Sequence, residues 1–102
     1  MPVYKLNYCL MDNRLKSIDR LIRDGHIHIA LEQLNQLTDL PGVNKADTYY
    51  LMGNVCRKQG DWQGALNNYQ EAVNLDAESP AAEARKMIMD ILEFYNKDMY
   101  NQ

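Results

Sequence analysis

Between residues 12 and 24 the apolar side chains Leu15, Ile18, Leu21 and Ile22 recur at spacings of three and four, which sets them on one face of a helix. Gly25 ends that pattern. Residues 26–38 repeat it with Ile27, Ala30, Leu31, Leu34 and Leu37, and the run Asp39-Leu40-Pro41-Gly42 stops it with turn chemistry. Two helices joined by one glycine-containing turn are antiparallel neighbours. A third helix is predicted over 45–59, with Tyr49, Met52, Val55 and Cys56 inward and Gly60 as a left-handed cap. Asp61 then caps a fourth over 62–75, whose inward residues are Trp62, Ala65, Leu66, Tyr69, Ala72 and Val73. Ser79-Pro80 starts a fifth, running to about residue 97: serine is the cap, and proline at the first helical position gives up an N–H that has no partner there anyway.

No Val- or Ile-rich alternating stretch appears, so the chain predicts helix packed on helix throughout, about five helices and no strand. With 102 residues, 46% apolar and 25% charged, it has the composition of one folded domain, and one of modest stability. The net charge of -3 and dispersed Lys and Arg exclude the clustered basic surface that nucleic acid requires. The first ten residues lack the apolar run of a secretory signal, and nothing approaches the roughly 18 apolar residues of a membrane span. With Cys9 and Cys56 giving no disulfide framework, the expectation is a cytoplasmic, reducing setting. Residues 1–10 are expected to be a poorly ordered leader.

Comparing the chain with itself gives the sharpest signal. Asp24-Gly25-His26-Ile27, Ala30 and Leu34 align with Gln59-Gly60-Asp61-Trp62, Ala65 and Tyr69 at an offset of 35 residues. A helix pair of that period resembles the tetratricopeptide repeat. Within residues 46–79, Tyr49 stands at the family's aromatic position, Met52-Gly53 at its Leu-Gly, Cys56 at its Tyr, Ala65 at its helix-crossing alanine and Tyr69 at its large apolar site. Gly53, Ala65 and Ala72 allow two helices to approach closely while Trp62 and Tyr69 fill the space beside them. The pattern departs from the family at Ala77, where a proline is usual, and at Ile18, which replaces the close-contact glycine in the first repeat and sets those helices farther apart. The layout is therefore a leader (1–10) and a single domain (11–102), made of repeat 11–45, repeat 46–79 and a terminal helix 80–98.

The resemblance implies a right-handed superhelix whose first helices line a concave groove for a peptide or helix of another protein, making the chain a scaffold or adaptor. Carried onto this sequence, the groove positions are Asp47, Tyr50, Asn54, Arg57 and Lys58. Asn54 matches an asparagine that some members use on a C-terminal carboxylate, but Tyr50 replaces the accompanying lysine, and Ala84 and Ile88 supply no further polar grip. Arg57 and Lys58 are equally well read as a solvated helix end that complements the dipole. Tyr50, with a large apolar area and a polar tip, is the best single groove candidate.

The fifth helix carries a stripe of Ala84, Met87, Ile88, Ile91, Leu92 and Tyr95, which Phe94 widens to an arc of roughly 160°, beyond the ~100° of a one-sided helix. Either the helix is tucked deeply, or its excess face meets a partner or a second copy, with Met89, Phe94 and Tyr100 at the contact. A homodimer joined through this helix is thus the alternative to groove binding. Catalysis and metals have no foothold: His26 and His28 diverge on their helix, Cys56 occupies a core position, and the acidic residues are scattered. The sequence predicts no cofactor, no metal and no enzyme.

Overall fold

The computed structural model describes the backbone of residues 11–100 and the side chains of residues 11–94. Cys9 and the expected leader 1–10 lie outside these bounds, as do the side chains of Tyr95 and Tyr100. Five helices make up the described chain: α1 (Asn13–Arg23), α2 (Ile27–Thr38), α3 (Lys45–Lys58), α4 (Trp62–Leu75) and α5 (Ala81–Tyr100). Each begins and ends where the local chemistry dictates. Asp12 caps α1 by accepting the Arg14 N–H at 2.8 Å, Asn44 caps α3 by accepting from Asp47, and Asp61 caps α4 by accepting from Gly64 at 3.0 Å. Before α5, the Ser79 hydroxyl accepts the Ala81 N–H. Only α2 lacks a side-chain cap, because His26 occupies the position that Asp61 fills one repeat later.

The 35-residue period is visible in hydrogen bonds as well as in letters. At the end of α1 the Gly25 N–H donates to the Ile22 carbonyl at 3.1 Å and the His26 N–H to the Leu21 carbonyl at 2.9 Å. At the end of α3, Gly60 donates to Arg57 at 3.1 Å and Asp61 to Cys56 at 2.8 Å, the same pair of bonds 35 residues on. These are Schellman caps, and each needs a left-handed residue at its centre. Gly25 and Gly60 supply it, at φ 89° and 80°.

Two clusters of buried side chains hold the helices together. The first joins Met11, Leu15, Ile18 and Ile22 to Ala30, Leu34 and Leu37 of α2, to Val43, and to Leu51 and Val55 of α3. The second joins Ala65, Tyr69 and Ala72 of α4 to Ala81, Ala84 and Ile88 of α5. Helix α3 lies between them, with Met52 against the first cluster, Tyr49 and Cys56 against the second, and Tyr50 touching both. This changes the inward face expected for α3 in part: Val55 is fully buried as expected and Leu51, not expected there, is too, whereas Tyr49, Met52 and Cys56 pack on the clusters only half-buried. Trp62, expected inward, is 37% exposed; as the first residue of α4 it has no preceding helical turn to pack along.

The close approach expected at Gly53 is present. A β-carbon there would lie 2.4 Å from Cε1 and 2.5 Å from Cδ1 of Tyr69, so the aromatic ring rests directly on the α3 backbone. With Ile18 at the matching site, α1 and α2 pack over less of their surfaces than α3 and α4.

Candidate functional site: a concave groove along α1, α3 and α5

Lys58 Nζ lies 3.5 Å from the Arg23 carbonyl, so the C-terminal ends of α1 and α3 are neighbours and the two helices run parallel. Helix α4 returns antiparallel, which makes α5 parallel to α3. The first helices of successive repeats thus stand side by side. Two clefts follow their seams. One, of about 410 Å³, is lined by Asp19, Ile22 and Arg23 of α1 and by Tyr50, Asn54, Arg57 and Lys58 of α3. The other, of about 380 Å³, is lined by Tyr50 and Arg57 and by Pro80, Glu83, Ala84 and Met87 at the start of α5. Tyr50, Asn54 and Arg57 fall at i, i+4 and i+7, one stripe of α3. Tyr50 and Arg57 belong to both clefts, so the clefts form one groove with these two side chains along its middle.

The stripe is held from behind. The Tyr69 hydroxyl donates to Oδ1 of Asn54, and both residues are buried, at 0% and 8% exposure. With Oδ1 engaged, the carboxamide turns its Nδ2 donors to the cleft, where no protein acceptor meets them among the described residues. The Tyr69 ring lies 6.0 Å from that of Tyr50, tilted by 35°, and backs it against the α3–α4 core. Burial pushes the Tyr69 hydroxyl well above its ordinary pKa, so it remains a donor. Asp19, with a side chain 5% exposed, pairs with Arg23 at 3.1 Å, and burial raises its carboxyl although Arg23 opposes the rise.

Four of the five groove residues expected from the sequence, Tyr50, Asn54, Arg57 and Lys58, line these clefts. Asp47 lines neither. It sits in the first turn of α3 close enough to Asp76 that burial first, and that carboxylate second, raise its pKa. Asn54 differs from expectation in being a core-facing residue with only one end toward the groove. Sequence reasoning missed Asp19, Ile22 and Arg23, although the repeat offset marks them: subtracting 35 from Asn54, Arg57 and Lys58 gives these three positions. It also missed Glu83 and Met87, the latter 55% exposed.

Of the three residues expected at a self-association surface, Tyr100 lies outside the described side chains, and Met89 and Phe94 do not adjoin. Met89 is 46% exposed and lines a separate notch with Leu66 and Leu92, while Phe94, 63% exposed, lies about 140° around α5 from it, in line with Met87. Among the described residues no group of three or more His, Cys, Asp and Glu side chains is placed to hold a metal ion, and no helix is long and apolar enough to cross a membrane. Cys56 is half-buried, and its pKa is raised by burial and by Asp61, the opposite of an activated thiol.

Residues 53–82, from the close-contact glycine of α3 to the start of α5, match the family described as TPR repeat. No curated protein matches the chain. The solution NMR structure of Bacteroides fragilis protein BF1650 superposes with a TM-score of 0.74 at 59% sequence identity, covering 86% of this chain and 89% of that one. The repeated Schellman caps and the Gly53–Tyr69 contact agree with the family match: the chain carries a tetratricopeptide repeat over residues 53–82, within an all-helical fold of helix pairs.

Proposed function

We propose that the chain captures a peptide segment of another protein in the groove between α1, α3 and α5, acting as a scaffold rather than as an enzyme. Tetratricopeptide repeats are in general protein–protein interaction modules. The observation that supports groove capture here is the Tyr50–Asn54–Arg57 stripe. It offers, on one face, an aromatic surface, amide donors held in orientation by Tyr69, and an exposed cation. Asn54 binds a backbone carbonyl of the segment, since donors are what it presents. Tyr50, Ala84 and Met87 receive an apolar side chain, and Arg57 and Lys58, at the C-terminal end of α3, favour an acidic residue beside it.

Selecting binders from a random peptide library and titrating them by calorimetry tests this reading. Tyr50→Ala and Arg57→Glu should each weaken the selected peptides at least about tenfold, as central aromatic and arginine contacts do. Arg57 is exposed, so its variant keeps the fold; Tyr50 also packs on both clusters, so unchanged helicity by circular dichroism is required of its variant before its affinity is read. Peptides whose affinity ignores both substitutions would place binding elsewhere. Asn54→Ala is the poorer probe, because it also strips the Tyr69 hydroxyl of its acceptor.

A further inference from the structure

On the side of α5 away from Met87, helices α4 and α5 leave an open notch of about 540 Å³. Leu66 of α4 and Met89 and Leu92 of α5 supply its apolar lining, and Arg85, Lys86, Asp90 and Glu93 its charged rim. Met89 is 46% exposed, whereas Ile88 beside it is wholly buried and anchors the helix to α4. Among the described residues none of the four rim charges forms an ion pair within the chain. Their order is basic, basic, acidic, acidic along the helix, so a partner segment of one charge sign complements only half of the notch.

We infer that this notch is closed by the α5 helix of a second copy of the chain, lying antiparallel across a two-fold axis through Met89. Arg85 and Glu93 stand four residues before and four after Met89, each about 6 Å along the helix from it. The two-fold therefore sets Arg85 of one copy opposite Glu93 of the other, and repeats the pair on the far side of the axis. Met89 packs on Met89, and the aliphatic stem of Lys86 covers Leu92 of the other copy, with its ammonium directed to Glu93. Such an interface is isologous, as closed two-fold dimers require. It also leaves the groove open on the opposite side of α5, so self-association and peptide capture are independent. Phe94 and Met87, which face the groove side, take no part.

Sedimentation equilibrium across about 10 µM to 1 mM reads the mass directly. The intact chain should approach twice its 11.9 kDa. Arg85→Glu and Glu93→Lys, each of which juxtaposes like charges at both ends, should weaken self-association at least about tenfold while circular dichroism shows unchanged helicity. An equimolar mixture of the two variants restores opposite charges at both ends, so it should form a heterodimer that neither forms alone. A wild-type chain that stays monomeric over this range, variants that dimerise as well as wild type, or a mixture that remains monomeric would each overturn the assignment.

Discussion

Replacing Gly53 by alanine adds a single methyl group to the middle of α3, and two opposing effects decide the outcome. Alanine is the better helix former, by about 1 kcal/mol in a helix interior. Against this, the new carbon would lie 2.4 and 2.5 Å from two carbons of the Tyr69 ring, so the ring must withdraw by about 1 Å to reach ordinary contact. It has nowhere easy to go: Tyr69 is wholly buried, its hydroxyl is tied to Asn54, and the Tyr50 ring stands beside it. Overpacking of this kind costs about 1–3 kcal/mol, and an aromatic ring pinned at both ends belongs at the upper end of that range. The net expectation is a loss of about 2 kcal/mol, or a fall in Tm of about 10 °C for a domain of this size. Thermal melts followed by far-UV circular dichroism measure it. In a Tyr69→Val background, stabilised by an osmolyte, the ring atoms that clash are gone and the same substitution should raise the Tm instead. If Gly53→Ala stabilises the otherwise unaltered chain, the close approach of α3 and α4 is not the constraint argued above.

Gly60→Ala should cost about 1 kcal/mol for a different reason: its β-carbon would meet nothing within 4 Å, and only the left-handed backbone at φ 80° opposes it. Urea denaturation of that variant should show a lower midpoint with an unchanged m-value. Tyr69→Phe leaves the Asn54 carbonyl without its donor, so stability should fall by about 1 kcal/mol and affinity for groove-selected peptides should fall with it, because the amide is no longer held in orientation. Equal peptide affinity in that variant would count against Asn54 as a positioned donor. The acidic residues give pH dependences of opposite sign. Asp19 has a folded pKa raised by burial, so the folded state holds the proton more tightly; stability is highest below the unfolded value and declines as pH rises through the folded one. Asp19→Asn should flatten that decline, giving a denaturation midpoint at neutral pH no lower than that of the unaltered chain. Asp12 is held down to about 2 by its hydrogen bonds from Arg14, so its contribution is present above 3.8 and disappears as pH falls toward 2.

The helices and their boundaries were legible because each is announced locally. Gly25, Gly60, Asp61 and Ser79 perform at their sites the roles their residue types suggest, and the 35-residue offset is a property of the chain before it is one of the fold. The inward face of α3 was harder to read. A helix covered on one side shows one apolar stripe, but α3 is covered on both, so its apolar residues surround most of its circumference and periodicity does not rank Leu51 above Met52. Asn54 misled for a related reason: a polar letter on a groove position suggests solvent, and only the hydroxyl arriving from α4 shows that half of the side chain belongs to the interior. Met89 and Phe94 were grouped as apolar residues beyond what a one-sided helix needs. They are separated by rotation about α5, which becomes meaningful once α4 fixes the side that faces the core.

The position of α3 between the two clusters bears on how the molecule comes apart. Were each repeat built around its own private core, the halves could open one at a time, and the groove would fluctuate with whichever was weaker. Here neither cluster can lose its wall without exposing the other, so α3 ties the halves into one cooperative unit. Its backbone amides are the ones expected to exchange with solvent only through global unfolding. The stripe that faces the groove is thereby mounted on the most rigid element of the chain, and whatever it binds meets a surface whose shape is set before the encounter.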